Sequence, residues 1–294
     1  MTVHLVIVLG LAMATAAAAE PISRRLAPRT ATLLLTVGGL LSFGLVIWVL
    51  LALSVGGLGE LDWLSTMGLC PPVTALSHDV PLPVAAVTTL MLGAIAARAA
   101  QRSWDWHHLT PNAPHQGLAV LAIDEPVAYA VPGRPGGIVA SRGLLRLLDG
   151  DERRALLAHE QAHLDLGHHR YLRASEMTAS FPLLGPLARA VRFSTERWAD
   201  EEAASAVGDR RIVARALSRA ALAGTQPAPS GLAGLLGAGM SERVAELLDD
   251  PPGRLDLAQG LLVAASVVGL VAATGLTLRL HDLLAVLAPV CGAG

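Results

Sequence analysis

The sequence predicts a mainly α-helical membrane protein, in which about four transmembrane helices carry an inserted α+β domain built on a small sheet. Three observations lead there. Hydrophobic residues make up 53% of the 294-residue chain and charged residues only 16%, against about 25% charged in a soluble domain. The charges are unevenly placed: residues 3–19 hold none beyond the titratable His4, and residues 31–55 hold none at all. From about Gln101 to Asp256, by contrast, arginines and acidic residues are spread throughout, with Pro and Gly marking turns, the composition of one domain of ordinary size.

A helix needs roughly 20 mostly apolar residues to cross a bilayer. Residues 3–19 (narrowly) and 31–55 meet that requirement, 82–97 form a shorter third run, and 257–278 form a fourth interrupted only by Gln259. The expected organisation is therefore three spans within 1–98, an inserted domain over 99–256, and a fourth span with a short tail over 257–294. Orientation follows from arginine, because every one of the 22 basic residues is Arg and cytoplasmic loops retain positive charge. Arg24, Arg25 and Arg29 follow span one and Arg98 and Arg102 follow span three, whereas residues 56–81 hold no Lys or Arg. The inserted domain is thus expected in the cytoplasm and both termini outside, in a multi-pass protein of the cell membrane. Arg279, at the outer end of span four, runs against the rule.

Span one has a competing reading as a secretory signal peptide, with the alanines before Glu20 as a cleavage region. Its positive charges follow the apolar run instead of preceding it, which favours a retained span. Trp104 and Trp106 suit either an interfacial belt or ordinary half-buried aromatics. Cys70 and Cys291 fall on this topology in the same external space, where a disulfide and two unrelated cysteines both remain open. The net charge of −2 implies no direct nucleic-acid partner; the expected partners are the lipid bilayer and a protein or peptide substrate, and the sequence does not define an oligomeric state.

Within the inserted domain, residues 118–123, 127–131 and 138–140 read as short strands, the last two separated by a Pro/Gly turn. Ser141 can cap a helix running to Leu148. Asp149-Gly150-Asp151 then ends that helix and caps the next, expected over 152–166 and stopping near Gly167. Further helices are expected over 170–180, 194–207, 210–222 and 241–248. Pro182, Gly185 and Pro186 interrupt an apolar stretch, 181–191, that is too short to span; it reads either as core, the favoured reading, or as a surface lying against the membrane.

The helix over 152–166 contains His159-Glu160-Gln161-Ala162-His163, an HExxH motif. Histidines four apart project from one helix face, so both imidazoles can reach one metal ion, with Glu160 placed to take a proton from a water that zinc has acidified. Two ligands do not make a site, and two residues compete for third place. Glu196 and Asp200 are four apart in Glu196-Arg197-Trp198-Ala199-Asp200, so Glu196 can bind the metal while Asp200 accepts the distal N–H of His159. His169 lies six residues beyond His163, as in the extended motif HExxHxxGxxH, but Leu166 stands where that motif needs Gly. The complete set around Glu196 favours it. His168, His169, Tyr171 and Arg243 are unranked candidates for stabilising an oxyanion.

LLAHEQAH followed 33 residues later by ERWAD resembles the gluzincin pattern of BlaR/MecR-type, HtpX-type and CAAX-protease-type membrane metallopeptidases. The segment VPGRPGGIVASRGLLRLLDGDERRALLAHEQAH, together with RVAELL at 243–248, is similar to the BlaR/MecR type in particular. That resemblance implies a gluzincin-like fold for the inserted domain, one Zn²⁺ per chain held by His159, His163 and Glu196, with Glu160 as catalytic base. It also implies cleavage of a cytoplasmic regulatory protein, such as a winged-helix repressor of the BlaI/MecI kind, in signal transduction. The large external antibiotic-binding domain of that type is not expected, since Gly294 comes about 16 residues after span four. Two alternatives differ in class: a quality-control or processing protease of the HtpX or CAAX type, and a non-catalytic transducer with a structural zinc. The intact Glu160 argues against the last, because a structural site needs no general base.

Overall fold

The computed structural model describes residues 2–58, 80–109, 117–133, 136–223 and 239–249. It is mostly helical, with one three-stranded sheet. Three long helices come first: α1 (Thr2–Arg25), α2 (Pro28–Leu58) and α3 (Leu82–Leu109). Pro28 opens α2, where a helix requires no amide donor. Hydroxyls along these helices bond back to carbonyls in the preceding turn, as Thr32, Thr36 and Thr88 do, so they carry no unmet polar group into an apolar setting. Ser54 also donates to Thr88 at 3.0 Å, tying α2 to α3.

Among the described residues, two helices are long and apolar enough to cross a membrane, over Pro28–Gly57 and Leu82–Trp106. α1 is nearly as long but is not one of these two. On α3, Val87 and Leu90 are 56% and 74% exposed, a placement that suits hydrocarbon better than water. The span expected at 257–278, and Cys70 and Cys291, lie outside the described residues. α3 runs on without a break past Ala97, where its apolar run stops, because the Ala, Arg and Gln residues that follow are good helix formers. Arg102 on this extension pairs with Glu176, which also accepts from Arg192 at 2.5 Å.

The sheet comprises β1 (Gly117–Leu121), β2 (Ala128–Val131) and β3 (Gly137–Ser141), ordered β1-β3-β2. β3 pairs in parallel with β1, Ala119 opposite Val139, and antiparallel with β2, Ala130 opposite Ile138. The central strand is buried throughout and β1 is largely exposed.

Ser141 then caps α4 (Arg142–Leu147), accepting the amide of Leu144 at 3.1 Å. α5 (Gly150–Asp165) starts with a capping box: Asp149 accepts the amides of Asp151 and Glu152, while Glu152 accepts the amide of Asp149. Glu152 is fully buried and also receives Arg219 at 2.8 Å, which fixes α5 against a later helix. After α6 (His168–Thr178) and a 3₁₀ turn (Pro182–Leu184) come α7 (Gly185–Val207), α8 (Arg210–Ala223) and α9 (Met240–Leu248).

α7 corrects the sequence reading. It starts nine residues before the expected Ser194, because Pro186 sits in the first turn, where it initiates a helix instead of breaking one. The apolar stretch 181–191 is core, as expected, but its partners are the long N-terminal helices. Phe181, Leu184, Leu187 and Val191 share a buried cluster with Val8, Leu35, Val46 and Leu50. Gly39, midway along α2, lies beside Thr178 and Leu187. The other half of α7 contributes Ala203 and Ala204 to a second cluster with Ala155, Val213, Leu217 and Leu247, which joins α5, α8 and α9.

Candidate metal centre

His159 and His163 stand one turn apart on α5, whose position is set by the capping box at its start. At its other end Gly167, with φ of 63°, turns the chain sharply into α6, a left-handed conformation that glycine adopts without steric cost. The two Nε2 atoms lie 3.1 Å apart. Glu196 enters from α7, with Oε2 3.6 Å from His159 Nε2 and Oε1 3.6 Å from His163 Nε2. Ligand atoms of all three residues lie within 4.8 Å of one another.

The donor set fits zinc. Two imidazoles and a carboxylate are three protein ligands of the types zinc takes in catalytic sites. Glu196 Oε1 is buried without a hydrogen-bond partner among the described residues, a costly deficit that a cation between the three side chains removes.

Two groups brace this cluster from behind. Asp200, one turn beyond Glu196 on α7, places Oδ1 2.9 Å from His159 Nδ1. Arg243, from α9 and only 2% exposed, grips Asp200 through Nε and Nη2, both at 2.7 Å, and reaches Glu196 Oε2 through Nη1 at 3.0 Å. This two-pronged contact is the strong form of an arginine–carboxylate pair. Arg243 was a sequence candidate for oxyanion binding; its guanidinium instead grips the carboxylates of the cluster. A further contact had no sequence signal: His168, fully buried, places Nδ1 3.0 Å from His163 Nδ1, on the side of that ring away from Nε2.

The electrostatics follow from these contacts. Burial raises Glu160 to about 7, with the charge of Glu196 adding to the rise and His159 and the backbone of Ala130 opposing it. Such a carboxylate can both take and give a proton near neutrality. Burial works against the charge of His159, but Asp200 and Glu196 overcome it and raise the imidazole to about 10. Burial would likewise raise Glu196, yet Arg243, His163 and His159 draw it down to about 2, and Asp200 is held well below the carboxylate range mainly by Arg243. Burial pushes His163 down to about 4 and His168 to about 3.

The structure brings His159, Glu160, His163, Glu196 and Asp200 together. Among the described residues, His169 is not part of the group that could share one metal ion. Residues 108–226 match the model of peptidase family M48. The protein is a zinc metallopeptidase. The matched segment of the metallopeptidase is less than half of the chain, but it takes in the sheet, α5 with its HExxH motif, and α7 with Glu196 and Asp200. It ends before α9 and Arg243. No curated protein and no solved structure matches the chain.

Proposed function

We infer that this metallopeptidase is an endopeptidase embedded in the cell membrane, with its catalytic domain in the cytoplasm, and that it cleaves a cytoplasmic regulatory protein of the winged-helix repressor kind. The observation that carries the reading is α7. Its first half is buried among the N-terminal helices and its second half supplies Glu196 and Asp200, so one rigid element joins the membrane portion to the metal cluster.

In the proposed site His159, His163 and Glu196 hold the metal, which when bound supplies Lewis-acid chemistry, polarising a carbonyl and acidifying water. Glu160, buried next to His159, would accept a proton from the attacking water and return it to the departing amide nitrogen. With the metal bound, Asp200 would fix the tautomer of His159 by accepting its Nδ1–H, leaving the Nε2 lone pair for the metal in place of a proton. Arg243 holds Glu196 and Asp200 charged and fixed in place.

A second reading, a protease of the HtpX or CAAX type acting on membrane-inserted or lipidated proteins, is favoured by the depth of the cluster. Gly39 is eleven residues beyond Pro28, roughly 16 Å up α2, and Leu187 packs there. Glu196 follows nine residues later, roughly 14 Å back along α7. This returns it to the level of the α1–α2 turn, where Arg197 donates to the carbonyls of Ser23 and Leu26. In a hydrocarbon core about 30 Å thick, the cluster then lies near the headgroups. Vesicle-reconstituted protein offered a soluble winged-helix repressor, and the same cleavable segment tethered beside a transmembrane helix, separates the two. Cleavage of the soluble protein is the result expected; cleavage of the tethered form alone replaces the first reading with the second.

A further inference from the structure

We propose that His168 is a positioning residue that sets the tautomer of His163, the counterpart for that ring of what Asp200 does for His159. The proposal rests on the reading of His163 as a metal ligand through Nε2. That nitrogen faces His159 and Glu196, at 3.1 and 3.6 Å. A neutral imidazole that gives the lone pair of Nε2 to a metal carries its proton on Nδ1. The atom 3.0 Å from His163 Nδ1 is His168 Nδ1. Two N–H groups cannot point at each other across that distance, so the proton on His163 requires a bare lone pair on His168 Nδ1. His168 then holds its own proton on Nε2.

The surroundings of His168 support this assignment. The ring is fully buried and its Nε2 meets no hydrogen-bond partner among the described residues, so Nδ1 is the nitrogen through which it engages a neighbour. Its plane is fixed from the other side by Trp198, ring centres 4.9 Å apart, and it meets His163 edge-on at 4.8 Å. Gly167, with its positive φ, allows the chain to double back so that the first residue of α6 faces the last turn of α5. The two ligand histidines are thus oriented by chemically different partners: a carboxylate that increases the basicity of His159, and a neutral ring that fixes His163 without adding charge.

The test is the zinc affinity of the full-length protein in detergent or bilayers, measured by competition with a chromogenic chelator. His168→Leu removes the acceptor, while His168→Asn keeps an oxygen close to where Nδ1 lies. Loss of an outer hydrogen-bond partner weakens metal binding roughly 10–100-fold. We expect that loss in His168→Leu and near-wild-type affinity in His168→Asn, with the circular dichroism of both unchanged. Equal affinity of folded His168→Leu and wild type overturns the proposal, as does a folded His168→Asn that binds as weakly as His168→Leu. Should either variant fail to fold, ¹⁵N NMR of the histidines in zinc-loaded wild type decides: His168 protonated on Nε2 supports the assignment and His168 protonated on Nδ1 overturns it. His163→Ala separates the premise from the proposal. Zinc affinity unchanged in His163→Ala removes the ligand reading itself, whereas its loss there, with none in His168→Leu, overturns only the role of His168.

Discussion

Arg243 joins α9 to both carboxylates of α7 that face the metal cluster, and nothing in its immediate sequence announces that contact. Replacing one member of a buried, hydrogen-bonded ion pair leaves the others uncompensated and costs about 3–5 kcal/mol. Arg243→Met is therefore expected to lower the stability of the metal-free protein by that order at pH 7, measured by denaturant unfolding. The pH dependence has a definite sign. Glu196 and Asp200 are depressed in the fold, so their contribution is complete above the unfolded carboxylate range near pH 4 and is lost as pH falls toward the folded values, about 2 for Glu196. The gap between wild type and Arg243→Met should accordingly narrow below about pH 4; a constant gap contradicts the assignment. For the third ligand, Glu196→Ala should lose most bound zinc and His169→Ala should retain it, as read by elemental analysis; the reverse pattern exchanges their roles. At this scale the sequence is legible where spacing is local. His159 with His163, and Glu196 with Asp200, are each one helical turn apart. The roles of His168 and Arg243 are not legible in this way, because their contacts depend on a chain reversal at Gly167 and on where α9 packs.

At the level of elements, α5 could be read from the cap at Asp149-Gly150-Asp151 and its pattern, and the structure places it within two residues of expectation. α7 could not, because Pro186 looks identical in sequence whether it ends one segment or begins the next. Sheet order was equally hidden: three strands of four or five residues carry no mark that β1 and β3 run parallel with β2 at an edge. α9 depends on Gly239, which precedes it with φ of 64°; a Cβ there would lie 2.5 Å from a ring carbon of Phe193. Both effects oppose a side chain, and a left-handed non-glycine residue alone costs roughly 1–2 kcal/mol. Gly239→Ala should therefore lower the melting temperature and, by shifting α9, weaken zinc binding through Arg243. An unchanged melting temperature contradicts the placement of α9 against α7.

In the whole molecule, α7 ties its two halves together, since it is buried at one end among the N-terminal helices and at the other within the catalytic domain. Arg197, beside Glu196, reinforces the join by bonding to carbonyls of the α1–α2 turn and to Glu246 of α9. Composition made the long apolar helices legible in the sequence, and two of the four expected spans correspond, among the described residues, to helices long and apolar enough to cross a membrane. What composition could not convey is that the catalytic domain sends the start of α7 back among those helices, because residues 181–191 are as apolar as any soluble core. The central claim, a zinc endopeptidase that uses Glu160 as its base, is tested most directly by the peptide-hydrolysis rate per bound zinc of bilayer-reconstituted wild type and Glu160→Gln. The account predicts about one zinc per chain in both, following the three-ligand set, and a rate at least about 100-fold lower in the variant, as expected for loss of a general base. Equal rates per bound zinc would contradict it.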